Sequence, residues 1–257
     1  DQEFLQILLK YPIDVNCRDS EGYTPLLLSS KKGKVTMFEI LLLSEKADIN
    51  ATTDNHDNIF FFSSTKSFTT DKRIFLLAIQ HPDLNLDFQN DDGDTLLHAL
   101  VSNLKFFEIG CLLKVINRFD PNIYNTKQQT PLDIAILNRN MDIISVLLNC
   151  DKIELTEYGR KSHLLHLAAA KNSHELIYPL INRGLDPNSD DGMGTTPLMM
   201  AIMKKNSMFV RKLIGTRKVD VNKSNKAGQN PILMAAMLGE GSMIVRMLLC
   251  HPLLIVN

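Results

Sequence analysis

Apolar residues recur along this chain in short clusters of helical spacing, and the clusters come in pairs. Leu26, Leu27 and Leu28 follow Thr24-Pro25; after a polar break at Gly33 comes a second run, Met37, Phe38, Ile40, Leu41 and Leu42. The same pattern returns with Leu164, Leu165, Leu167 and Ala168, and second runs recur at Ile143, Ile144, Val146, Leu147 and Leu148. Apolar positions three and four apart put one oily stripe on a helix. Thr is a good N-cap because its hydroxyl accepts from a free N–H of the first turn. Pro fits the first helical position, where its missing N–H costs nothing. Gly33, Asn172 and Gly239 follow the first runs, and both residue types tolerate the left-handed backbone that ends helices. The pattern therefore predicts pairs of short helices.

The pairs repeat. Thr24-Pro25-Leu26, Thr130-Pro131-Leu132 and Thr196-Pro197-Leu198 are the clearest copies of one phrase. Looser copies are Thr95-Leu96-Leu97-His98, His163-Leu164-Leu165-His166 and Asn230-Pro231-Ile232, with a degenerate one at Asn58-Ile59-Phe60. Their first residues are spaced by 34, 37, 35, 33, 33 and 34 positions. A second phrase ends eight residues upstream of each: Asp14-Val15-Asn16, Asp48-Ile49-Asn50, Asn85-Leu86-Asp87, Asp120-Pro121-Asn122, Asp186-Pro187-Asn188 and Asp220-Val221-Asn222. Before His163 it has decayed to Ile153-Glu154-Leu155. Polar, Gly-containing turns such as Asp19-Ser20-Glu21-Gly22 link the two phrases.

Two phrases locked to one period resemble the ankyrin repeat, with its T-P-L-H signature and its G-A-D-V-N-like ending. The resemblance covers essentially the whole chain. It implies an all-α solenoid of antiparallel helix pairs joined by projecting β-hairpin-like loops and stacked with a concave face. It also makes His98 and His166 structural hydrogen-bonders to neighbouring loops. The expected organisation is one segment over 1–257: a partial repeat over 1–16, containing the second helix of a preceding unit (Phe4 to Leu9), then repeats over 17–50, 51–87, 88–122, 123–155, 156–188, 189–222 and 223–257. Such units cannot bury their apolar faces alone, and neither end carries a polar cap, so the natural protein is expected to continue in both directions.

The unit opening at Asn58 fits worst. Thr-Pro is gone, Ser63-Ser64 stands where others carry Ala-Ala, and the unit is about three residues long for the period. The expectation is that its Phe cluster fills a drifted core; the competing reading makes it a hinge or partner site with Phe61 or Phe68 exposed.

Composition narrows the function. Lys and Arg number 28 against 29 Asp and Glu, a net charge of −1, without the basic excess of a general nucleic-acid binder. No run of eighteen apolar residues exists to insert into a membrane. Cys17, Cys111, Cys150 and Cys250 are far apart and are expected as reduced residues packed like small apolar ones in a cytoplasmic setting. No nucleophile elbow, phosphate loop or H-E-x-x-H is present. His163 and His166 have metal-compatible spacing, but position identifies His166 with the structural histidine. The expectation is a non-enzyme with no cofactor and no metal.

The resemblance places partner contacts at the hairpin tips and the exposed end of each first helix, seven and eight residues after the Thr. Those positions hold Lys31, Lys32, Lys66, Leu137, Met203, Lys204, Met237 and Leu238. Tips contribute Asp91 and Asp92 in the first half and Arg160, Lys161 and Lys226 later. Exposed Leu and Met at several such places suggest a docking strip in the C-terminal half for an apolar protein or peptide segment, with polar tips setting register. Two other functions stay open: a regulatory or targeting module of a larger enzyme or membrane channel, and an anion site built on Lys31, Lys32, Lys34 and Lys66.

Overall fold

The computed structural model describes residues 11, 13–54, 56–60, 72–161, 163–237 and 243–252. The partial repeat expected over 1–16, the Phe61 and Phe68 readings, Lys66 and Leu238 lie wholly or mostly outside these residues. All regular structure among the described residues is helical, with no strand. The chain divides into two compact units, Asp1–Ile134 and Ala135–Asn257.

Unit 1 contains α1 (Pro25–Lys31), α2 (Val35–Leu43), α3 (Lys72–Gln80), α4 (Leu96–Ser102) and α5 (Phe106–Leu113). The boundary falls within α6 (Pro131–Leu137). Unit 2 contains α7 (Met141–Leu148), α8 (Glu157–Lys161), α9 (Leu164–Lys171), α10 (Ile177–Asn182), α11 (Pro197–Met203), α12 (Ser207–Gly215), α13 (Pro231–Ala236) and α14 (Met243–Leu249). Thr24 and Thr196 cap as their chemistry requires: each hydroxyl accepts from the N–H three residues on, at 3.3 Å. Asn230 does the same for Leu233 at 3.0 Å. The first helices end at Gly33 and Asn172 with φ of 63° and 57°.

Small residues set how closely first helices approach. In unit 2, Ala135, Ala168, Ala201 and Ala235 sit five positions after the start of the phrase, all fully buried. There α9 packs on α11 and α11 on α13, while the second helices α12 and α14 pack behind them. In unit 1 the second helices α2, α3 and α5 stack in order. Fully buried Phe38, Phe75 and Phe209 anchor α2, α3 and α12. Phe60 meets Phe75 edge-on at 5.8 Å, so the described part of the drifted unit does fill core.

The Asp-x-Asn phrase is an inter-repeat stitch. Each Asp carboxylate accepts from its own Asn N–H, as in Asp48 to Asn50 and Asp186 to Asn188, both at 2.9 Å. The Asn side chain then reaches the next repeat. Asn50 donates to the Asp83 carbonyl and accepts from the Asn85 N–H, both at 2.7 Å. Asn188 does the same with the Lys218 carbonyl and Asp220 N–H. Two arginines add a second stitch: Arg118 donates to the carbonyls of Ile79, His81 and Pro82 at the end of α3, and Arg183 to those of Cys150 and Ile153 beyond α7. Both supply side-chain donors to carbonyls at a helix end or in the loop after it, where intrahelical bonding runs out.

The projecting loops close as tight turns across four residues. Asn90 donates to Asp94 and Asn125 to Gln129 in unit 1; Asp191 donates to Thr195 and Asn225 to Gln229 in unit 2. Neighbouring loops pack tightly. Gly194 has φ of 81°, and a Cβ there would lie 2.8 Å from the Lys226 amide. Gly194→Ala therefore meets both a backbone penalty of about 1–2 kcal/mol and a clash. It should lower the unfolding midpoint clearly more than Gly192→Ala, where φ is 85° and nothing lies within 4 Å. Equal shifts in thermal unfolding would contradict this loop packing.

The cysteines correct one expectation. Cys111 and Cys150 are half-buried, and Cys17 and Cys250 are exposed, so none is packed away as a core residue. Cys17 lies in the loop after the Asp-x-Asn phrase, and Cys250 just past the end of α14, places the core does not reach.

Candidate functional site

The buried histidine of the first phrase is a junction between repeats. His98, fully buried, donates from Nε2 to the Gln129 carbonyl at 3.0 Å, and its Nδ1 accepts from the Thr95 N–H at 3.0 Å. Burial pushes its pKa below the ordinary value of 6.5, so the ring is neutral. Asp133 replaces histidine in the next unit, accepting from the Thr130 N–H at 3.0 Å and hydroxyl at 2.9 Å. His166 donates from Nε2 to the Thr195 carbonyl at 2.8 Å, and burial again depresses its pKa. Its buried Nδ1, however, has no hydrogen-bond partner.

The difference lies three residues upstream. Thr95 enters α4 from extended backbone, whereas His163 enters α9 in the left-handed region at φ 51°. The chain arrives there from α8, one extra helical turn not anticipated from the repeat pattern, where Lys161 pairs with Glu157. Tyr158 and Lys161 of α8 wall off a cleft of about 470 Å³. Ile136, Leu137 and Arg139 also line it, and Leu167, Ala170 and Met200 supply apolar surface beside the two histidines. The His163 ring packs edge-on against His166 at 5.4 Å. Among the described residues, no group of three or more His, Cys, Asp or Glu side chains converges as a metal site.

The first-helix ends of unit 2 carry their apolar side chains outward. Leu137 is 47% exposed, Met203 54% and Met237 75%, with Lys171 and Lys204 exposed beside them. In unit 1 the corresponding positions are polar. Lys31 donates to the Tyr23 hydroxyl at 2.6 Å and lies 4.0 Å above its ring and 3.9 Å from Glu21. The Tyr23 hydroxyl bond raises its pKa. Lys32 is exposed.

The tips divide in the same way. Asp91 and Asp92 are exposed; the Asp91 carboxylate lies 3.3 Å from His56 Nδ1, and the Asp92 carbonyl accepts from the Thr126 N–H and hydroxyl. Burial, then the Asp91 charge, pushes Asp57 above the ordinary carboxylate range. In unit 2, burial works against ionisation of Asp191, but the N–H groups of Met193 and Thr195 outweigh it and hold its pKa down. Arg160 falls within α8, and its side chain is outside the described part. Lys226 is exposed on the next loop.

Sequence reading missed a group of exposed apolar residues around the start of α5 in unit 1. Leu104 is 57%, Phe106 51% and Phe107 46% exposed, and the Lys72 ammonium sits 4.7 Å above the Phe107 ring. The signal was present: two adjacent aromatics at a helix start cannot both face the core. Leu233, 53% exposed on α13, was likewise overlooked.

Comparison with known proteins agrees with this architecture. A family model described as ankyrin repeats (3 copies) matches residues 165–255, and another, ankyrin repeats (many copies), matches residues 5–58. The chain is 29% identical to the ANK repeat-containing protein nipk-1 of Caenorhabditis elegans over 57% of its own length and 20% of that protein's. It is 30% identical to putative ankyrin repeat protein FPV031 of Fowlpox virus (strain NVSL), over 57% of this chain and 43% of that one. It is 25% identical to the human transient receptor potential cation channel subfamily A member 1, over 60% of this chain and 14% of the channel protein. The chain thus spans less than half the length of each of these relatives. No helix among the described residues is long and apolar enough to cross a membrane. With matched models over more than half of its residues and the repeat's helix pairs, histidine junctions and loop stitches in place, the chain belongs to the ankyrin-repeat family, whose repeats are generally protein-interaction modules.

Proposed function

We propose that this chain is a protein-interaction segment that takes an apolar stretch of a partner, helical or extended, along the first-helix ends of unit 2. The observation that carries this is the outward placement of Leu137, Met203 and Met237 at equivalent helix ends. Exposed apolar side chains in register commonly mark interfaces, and Met adapts its shape to a partner. Lys204 and the Lys161 and Lys226 tips add charge that sets register and selectivity more than affinity. The repeats carry no chemistry of their own in this reading. A second reading is favoured by the likeness to the cation channel protein: the segment serves as a regulatory or targeting module within a longer protein. The two readings share the same binding face.

The test is a double substitution, Met203→Ser with Met237→Ser. Each exposed apolar anchor at a contact contributes on the order of 1–2 kcal/mol, so losing both should lower affinity for a captured partner about 30- to 1,000-fold. Stability should change by no more than about 0.5 kcal/mol, because both side chains are exposed. Tyr178→Ser with Met208→Ser, on the second helices, should leave binding intact. A melted double variant, or equal loss from the second-helix pair, would reject this face.

A further inference from the structure

We propose that the cleft beside α8 is a pocket for an aromatic side chain bearing a neutral hydrogen-bond donor, a Trp or Tyr of the partner segment, with His166 as its acceptor. This rests on the reading that partners dock on the first-helix face of unit 2, and it names what that face selects.

The hydrogen-bond inventory sets the chemistry. The Thr195 carbonyl can only accept, so the proton of the neutral His166 ring sits on Nε2. Nδ1 is then a bare lone pair, buried and without a donor. Its counterpart in unit 1, His98 Nδ1, is satisfied by Thr95. Here His163 brings no hydroxyl and enters α9 in the left-handed region, and no donor reaches Nδ1. A buried acceptor left open calls for a donor from outside the chain.

Shape and charge narrow the donor. The cleft is lined in part by Leu167, Ala170 and Met200, and a volume of about 470 Å³ admits an indole or phenol ring. A cationic donor would meet Arg139 and Lys161 in the lining. An anion would find no proton on Nδ1 while burial keeps the ring neutral. An aromatic N–H or O–H meets neither objection, and acidic residues flanking it would complement Arg139 and Lys161. Because Nδ1 is buried, reaching it requires a side-chain movement, and the exposed His163 ring, edge-on to His166, is the piece this proposal has turn aside.

Small probes test this without the partner. The full chain, labelled at Met methyls and His nitrogens, is titrated with indole and separately with 1-methylindole, which has no donor. The expected result is that indole shifts the Met200 methyl and the His166 Nδ1 resonance, leaves Met208 unmoved, and binds about tenfold more tightly than 1-methylindole. Equal affinities would overturn the donor–acceptor assignment. Shifts confined to methyls away from the cleft, or no shift of Met200 at millimolar indole, would overturn the pocket. Because no partner is involved, such a failure leaves the docking face itself standing; loss of that face in the Met203 and Met237 experiment, with indole binding intact, rejects the docking reading instead.

Discussion

Phe209→Ala is expected to lower stability by about 3–5 kcal/mol, read from urea unfolding followed by helical circular dichroism. Phe209 is fully buried on α12, which packs against its own first helix α11, the following second helix α14 and the turn at His174–Leu176 before it. The helix that carries this ring therefore meets three neighbouring elements. In a stack each repeat leans only on its neighbours, so no distant core compensates the cavity. The transfer free energy of the lost ring and the unfilled volume both count against the folded state. A loss under about 1 kcal/mol would mean that the second helices contribute little to holding the stack together. Tyr178→Ala, half exposed on α10, is the contrast and should cost far less.

His98→Ala is expected to cost about 2–5 kcal/mol. The ring is fully buried, and its loss strands the Thr95 N–H and the Gln129 carbonyl, one at the start of α4 and one in the next loop. The histidine also makes the fold sensitive to acid, and the sign follows from its depressed pKa. The unfolded chain takes up this proton as pH falls through about 6.5, while the folded ring, held neutral mainly by burial, takes it up only at lower pH. The unfolded state binds more protons in that window. Stability should therefore be flat with respect to this group above about pH 6.5 and decline below it, until the folded pKa is passed. His166, depressed by burial in the same direction, adds to the slope. His98→Gln, which keeps a donor for Gln129, should be milder than Ala and should flatten the decline. A pH 5–7 stability profile unchanged by His98→Gln would show that this ring is not the titrating group.

What was legible in the chain was whatever chemistry is local. Thr24 and Thr196 start helices because a hydroxyl and a following Pro suffice, and the structure shows those caps in place. Gly33 and Asn172 end helices because their backbones tolerate positive φ. His98 could be assigned to loop bonding by its position in the phrase, and it donates to the next loop. Long-range chemistry was not legible. Arg118 and Arg183 look like ordinary surface charges until the carbonyls they bind, 30 to 39 residues upstream, are brought beside them. The extra turn α8 hides in a stretch that reads as a hairpin tip, because five residues carry too little periodicity to declare a helix. The open Nδ1 of His166 goes with a left-handed backbone at His163 as well as with the missing Thr hydroxyl, and only the second of these is written in the residue types. Leu104, Phe106 and Phe107 stand at the turn into α5 and its first residues, where the structure leaves them exposed.

The central claim is that the first-helix ends, and not the second helices, meet the partner. Amide hydrogen exchange of the full chain, alone and saturated with its captured partner, reads this directly. Slowed exchange should appear around Leu137, at Ala170–Lys171, at Met203–Lys204 and near Met237, with α10 and α12 unchanged. Protection confined to α10 and α12, with the first-helix ends exchanging as freely as before, would contradict the account.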